Sequence, residues 1–209
     1  DGTGALAPSV SVALTASDLA PVAVAFGDLD GDGAADDAAV ACSDSHTVCI
    51  VLNVGGSSSA SSRSCGGLRP IDVVCGDFDG NGFDDIVVAR EGELLAGGEG
   101  LSLSLNGGPF SEISFGGYIL PRKFLKLAIA DVDGDSHLDL IALASGSTSS
   151  WILPVHGDGT GALAFLGLAV AHPFSGLVRT FCLDDFNGDG AVDVAAPIPV
   201  LFPVPSAQI

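Results

Sequence analysis

The feature that most constrains this chain is a short acidic loop that occurs four times, at spacings of roughly 50 residues. The copies read FGDLDGDGAADDAAVA from Phe26, CGDFDGNGFDDIVVA from Cys75, IADVDGDSHLDLIAL from Ile129 and LDDFNGDGAVDVAAP from Leu183. Aligned on the first acid, side chains bearing oxygen recur at loop positions 1, 3, 5 and 9. They are Asp28, Asp30, Asp32 and Asp36; Asp77, Asp79, Asn81 and Asp85; Asp131, Asp133, Asp135 and Asp139; Asp185, Asn187, Asp189 and Asp193. Position 4 is Gly31, Gly80, Gly134 or Gly188, and position 6 is Gly33, Gly82, Ser136 or Gly190. Residues of this kind let a short loop curl back on itself.

A hard cation such as calcium takes six to eight oxygens at about 2.3 to 2.6 Å, and alternate residues of a tight loop can converge their carboxylates on one point. Without a cation the same carboxylates repel, so metal binding and loop order are expected to be coupled. Position 7 (Ala34, Phe83, His137, Ala191) shares no side-chain chemistry, which suits a backbone carbonyl ligand. An EF-hand is excluded, because position 12 is Ala39, Val88, Ala142 or Ala196 where that motif needs a bidentate Glu. Magnesium, which demands a stricter octahedron, fits less well. A bare polar turn explains one such cluster as well as a metal does, but not four in register.

Each loop sits between apolar runs, such as Val22 to Phe26 before the first and Ile86 to Ala89 after the second, so its context is strand, loop, strand. With 47% apolar residues and positive mean hydropathy, the chain is expected to be ordered despite its acidity. The balance of 26 acids against seven bases gives a net charge of −19, which argues against nucleic acid and anionic membranes as partners. No apolar run approaches a membrane span. The sequence starts at Asp1 and lacks Met, so an export signal, if present, is expected to have been removed or to lie outside it.

These residues resemble the FG-GAP and VCBS type repeats of integrin-alpha-like β-propellers. The resemblance rests on the four D-x-[DN]-G-[DN]-x-x-x-D loops, their flanking strands and the HGDGTGAL run at His156 to Leu163. It implies an all-β, propeller-like array of four four-stranded blades, with calcium loops joining the first two strands of each and about four Ca2+ per chain. One domain over 1–209 is expected, with blades at 20–66, 69–120, 123–174 and 176–209. DGTGAL opens the chain and recurs at Asp158 to Leu163, so residues 1–14 are expected to supply the outer strand missing from the last blade. That strand can close a ring within one chain or complete a neighbour's blade.

The remaining features point away from catalysis. His46, His137, His156 and His172 are scattered, and neither a nucleophile elbow nor a phosphate loop is present. The Ser-rich stretches Ser57 to Ser64 and Ser145 to Ser150 read as flexible loops, with O-glycosylation as the alternative. Of five cysteines, Cys42 and Cys49 flank a turn and can either face each other across a hairpin or pack as small buried residues. Trp151 is expected in the core. The expectation is thus a non-enzymatic, extracellular or cell-surface calcium-binding module that contacts protein or glycan and can self-assemble. The alternatives are a head-to-tail filament subunit, a carbohydrate-binding lectin, or an accessory propeller of a larger secreted enzyme.

Overall fold

The computed structural model describes residues 9, 11–91, 100–115, 123–146, 148–165, 172–175 and 177–197. Among them the chain is all-β, with four antiparallel sheets and no helix. The first sheet contains β1 (Pro21–Gly27), β2 (Asp37–Cys42), β3 (Thr47–Leu52) and β4 (Ser59–Ser64), in that order. The second repeats the plan with β5 (Pro70–Gly76), β6 (Asp85–Arg90), β7 (Gly100–Ser104) and β8 (Ser111–Glu112). The third has β9 (Lys123–Ala130), β10 (Asp139–Ser145) and β11 (Ser149–Gly157). Its outer edge is split, β12 (Leu163–Ala164) pairing with one end of β11 and β13 (His172–Ser175) with the other. The fourth consists of β14 (Cys182–Asp184) paired with β15 (Asp193–Ala195).

The first two strands of each sheet enter and leave one acidic loop, and they end in matching pairs: Gly27 opposite Asp37, Gly76 opposite Asp85, Ala130 opposite Asp139 and Asp184 opposite Asp193. Both faces of the inner sheets are covered, so their strands read as continuous apolar runs rather than alternating ones. Residues 85–90 and 100–104 are all buried.

The sheets pack face to face in chain order. Ala39, Ala41 and Ile50 of the first meet Val73, Cys75 and Ile86 of the second. Val87, Leu101 and Leu103 meet Leu127, Leu140 and Leu153 of the third. Ile141, Leu143 and Ile152 meet Val178 and Phe181, which lead into the fourth. Trp151 is half-buried against the central cluster. Polar latches fix the stacking: Asp72 Oδ2 accepts a hydrogen bond from Leu127 N at 2.7 Å, and Ser150 Oγ accepts one from Val178 N at 3.0 Å. Arg90, buried at the end of β6, donates to Gly66 O at 3.2 Å and lies so close to Gly67 that a side chain there would meet its guanidinium.

Two expectations are corrected and one open alternative is decided. Residues 59–64, read as a flexible loop, form β4, hydrogen-bonded to β3 throughout. An outer strand lies mostly in solvent and needs no apolar alternation, so serine is tolerated where ladder bonds are available. The second Ser-rich stretch is strand at its ends only, since Ser145 ends β10 and Ser149 begins β11, and its middle is the connection between them as expected. Of the two readings of Cys42 and Cys49, packing as small buried residues holds: the register sets Cys42 opposite Thr47 and Cys49 opposite Val40, and all five thiols are free. Burial pushes the Cys49 thiol up to about 11 and the Cys75 thiol up to about 12, which leaves them inert packing groups.

The amino-terminal arm differs too. Residues 1–8 and 10 lie outside the described residues, and so do 198–209, where a third strand of the last unit was expected. The described part of the arm packs on the first sheet rather than the last, with Val12 and Leu14 against Ala38, Cys42, Cys49 and Val51. Asp18 anchors it, accepting bonds from Thr15 N, from Thr47 Oγ1 at 2.8 Å and from Ser62 Oγ at 2.6 Å. Burial alone would raise the Asp18 pKa, but bonds from Ser62, Thr15, Cys49 and Thr47 outweigh it and hold the group at about 2, below its ordinary 3.8. Because the folded value is the lower one, this anchor is fully present above pH 3.8 and is lost as pH falls through about 2. Amide exchange at residues 11–14 should therefore accelerate across that window, and Asp18→Ala should produce the same acceleration at neutral pH.

Candidate metal centre

Over positions 1 to 7 the four loops share one backbone course and nearly the same internal hydrogen bonds, although their sequences differ. The position-4 glycines have φ between 73 and 81°, and position 6 has φ of 87, 89, 73 and 87° at Gly33, Gly82, Ser136 and Gly190. Ser136 thus holds a left-handed conformation that glycine adopts without strain. The position-1 acid is wrapped by backbone N–H groups. Asp28 accepts from Gly31, Asp32 and Gly33, Asp77 from Gly80, Asn81 and Gly82, Asp131 from Gly134 and Ser136, and Asp185 from Gly188, Asp189 and Gly190. These donors, Gly190 foremost, lower the Asp185 pKa. Position 3 then accepts from the N–H of position 5, and position 5 accepts from the N–H of position 7, at Ala34, Phe83, His137 and Ala191.

This network brings three acids together in each of the first three loops. Asp28, Asp30 and Asp32 offer oxygens within 4.8 Å of one another, as do Asp77, Asp79 and Asp85, and Asp131, Asp133 and Asp135. Two calcium–oxygen bonds of about 2.4 Å span about the same distance, so one ion can bridge any pair in a cluster. In the fourth loop Asn187 stands at position 3, and its Oδ1 takes the bond from Asp189 N at 2.9 Å.

The acid that closes each loop, buried in the first three and half-buried in the fourth, was only partly anticipated. Asp85 accepts from Phe78 N at 3.0 Å and Asn106 N at 2.9 Å; Asp139 from Val132 N and Gly157 N, both at 2.9 Å; Asp193 from Phe186 N at 3.1 Å. In the first loop this role belongs to Asp37, not to Asp36. Asp37 is fully buried and accepts from Leu29 N at 2.7 Å, Asp30 N at 3.1 Å and Asn53 N at 2.8 Å. The first loop is one residue longer, with Ala34 and Ala35 where the second has Phe83 alone, and this shifts the acids by one. Asp36 therefore corresponds to Asp84, which bridges two loops by accepting from Asp28 N at 3.0 Å while its own N–H donates to Asp28 O at 2.7 Å.

Three further residues complete the loops from the end of each third strand. Asn53 Nδ2 donates to Asp30 Oδ2 at 3.2 Å, Asn106 Nδ2 to Asp79 Oδ2 at 2.8 Å, and His156 Nδ1 lies 3.0 Å from Asp133 Oδ2. Asn53 and Asn106 both have positive φ, a conformation asparagine tolerates well. The signal was present in the sequence as Leu-Asn-x-Gly at residues 52–55 and 105–108. The HGDGTG turn also has a place: Gly161 N donates to Phe78 O at 2.9 Å, docking the turn of the third sheet on the loop of the second.

Two features of the cluster suit a cation. Asp36 Oδ1 is buried with no hydrogen-bond donor. Desolvation first, then the neighbouring Asp32, Asp37 and Asp30, raise the Asp36 pKa. Burial followed by Asp79 and Asp77 likewise raises that of Asp85 against the lowering effect of its two backbone bonds. Carboxylates so placed oppose one another's ionisation, and a divalent ion removes that opposition. No family model matches this chain, and no curated protein matches it.

Proposed function

We propose that the protein is a calcium-binding structural module of the FG-GAP and VCBS repeat type, in which the loop ions rigidify a propeller-like stack of four sheets. The observation that carries this reading is the single hydrogen-bond plan shared by all four loops, with three carboxylates gathered in each of the first three. Oxygen is the only donor type at positions 1, 3, 5 and 9, which favours a hard ion. Bound there, calcium supplies positive charge and fixed coordination rather than reactivity. The residues do the rest: the position-1 acids shape the loop, Asp37, Asp85 and Asp139 tie it to the following strand, and Asn53, Asn106 and His156 steer the position-3 acid.

A role outside the cell fits this reading, since calcium sites of weak affinity fill where the ion is abundant. The acids in the loops are engaged with backbone N–H groups, which suits scaffolding better than proton transfer. A stiffened stack offers loops and strand edges to a protein or glycan partner. The cleft between the first two sheets, lined by Arg63, Gly66, Gly107 and Phe110, has its one cation already bonded to the Gly107 carbonyl.

The assignment is tested by metal analysis of Asp131→Ala/Asp133→Ala after equilibration in millimolar calcium. The variant should retain about one calcium fewer than the unmodified chain. Equal stoichiometry would remove the third loop from the list of sites.

A further inference from the structure

The stacking of the sheets leaves one strip of β1 bare, and the other sheets indicate what covers such a strip. Val24 and Phe26 point away from the second sheet and are 55% and 58% exposed, with Val22 beside them at 52%. Counting back from the paired loop acids, the counterparts of Val24 are Val73, Leu127 and Phe181, exposed by 3%, 1% and 6%. The counterpart of Phe26 in the second sheet, Cys75, is 9% exposed. In each of those sheets the residue is buried by the sheet before it. The arm carrying Val12 and Leu14 shields β2 and β3 on this side of the first sheet, and the strip on β1 stays open.

Among the described residues, a matching surface is open at the other end of the stack. Loop position 2 holds Leu29, Phe78, Val132 and Phe186, and each of the first three packs toward the following sheet. Phe186 is 55% exposed, and Cys182 and Ala195, which occupy the same side of the last sheet, are exposed as well. Phe78, by contrast, is 1% exposed. The two bare surfaces are thus the two halves of an interface that occurs three times inside the chain.

We propose that the β1 strip of one copy seats the β14–β15 sheet of a second copy, giving head-to-tail association by the packing that already joins the sheets within each chain. This is a heterologous contact, in which each copy keeps one free end. It differs from strand donation because no ladder hydrogen bonds are exchanged. Repulsion between copies of charge −19 opposes it, and either the calcium loading proposed above or screening by salt lowers that repulsion.

The experiment is sedimentation of the full chain over about a hundredfold range of concentration, in calcium and separately in chelator with high salt. The second buffer keeps the result independent of the calcium reading. Two blocked forms are compared with the unmodified chain. Val24→Thr/Phe26→Thr makes the β1 strip polar without lowering strand propensity. A bulky maleimide on Cys182, the one exposed thiol of the five, obstructs the other end with no mutation. The unmodified chain should form species larger than one chain whose share rises with concentration in at least one buffer. Each blocked form should weaken association more than about tenfold, and a mixture of the two should stop at pairs, because each supplies the end the other lacks. A chain that stays monomeric in both buffers would overturn the proposal. So would blocked forms that associate as well as the unmodified chain, or a mixture that fails to pair.

Discussion

Adding millimolar calcium to the metal-free protein should raise its thermal unfolding midpoint by roughly 5 to 10 °C for each filled site. A ligand held at about a hundred times its Kd stabilises the folded state by about 2.7 kcal/mol. For a chain of this size each kcal/mol is worth about 2 to 4 °C. The effect arises in the loops but reaches the core, because each loop joins the first two strands of a sheet and the sheets share their apolar faces. Magnesium at the same concentration should give a smaller shift, since it dehydrates reluctantly and tolerates irregular oxygen cages poorly. Scanning calorimetry in chelator, magnesium and calcium provides the comparison. Equal midpoints in chelator and calcium would mean that the loops are polar turns held by their own hydrogen bonds.

The second large effect separates two adjacent acids. Asp37→Ala should destabilise the protein by about 3 kcal/mol or more, with or without calcium. It removes the fully buried carboxylate that accepts three part-buried bonds from Leu29 N, Asp30 N and Asn53 N, and each hydrogen bond to a charged group contributes about 1.5 to 3 kcal/mol, less where water reaches the donor. Asp36→Ala should leave the metal-free protein unharmed, because it deletes a buried oxygen without a donor and relieves repulsion from Asp32, Asp37 and Asp30. In calcium the same substitution should weaken the first site. Denaturant unfolding of both variants in chelator and in calcium gives four values, and a large calcium-independent loss at Asp36 with none at Asp37 would reverse the assignment.

The loops and most strands were legible because the physics is local. Asp and Gly at fixed spacing dictate a tight turn, and the apolar runs beside it pair as soon as the turn forms. What escaped reading depended on partners far away in sequence. Asp36 and Asp37 are neighbours of like chemistry, and only the pairing of Gly27 with Asp37 shows which one lies beneath the loop. Asn53 and Asn106 reach their loops across more than twenty residues, and their role follows from where the third strand ends. The serines of β4 carry no apolar signal because an outer strand lies mostly in solvent; its order comes from β3. The placement of Val12 and Leu14 on the first sheet is set by the Asp18 anchor, whose partners Thr47 and Ser62 lie in two different strands.

The most direct test of the central claim is the number of calcium ions bound per chain, measured by equilibrium dialysis with elemental analysis in millimolar calcium. The four loops share the same backbone course and most of one donor plan over positions 1 to 7, so about four ions per chain are expected, with Asp36→Ala and Asp131→Ala/Asp133→Ala each removing about one. A chain that binds none, while remaining folded, would contradict the assignment of these loops as cation sites.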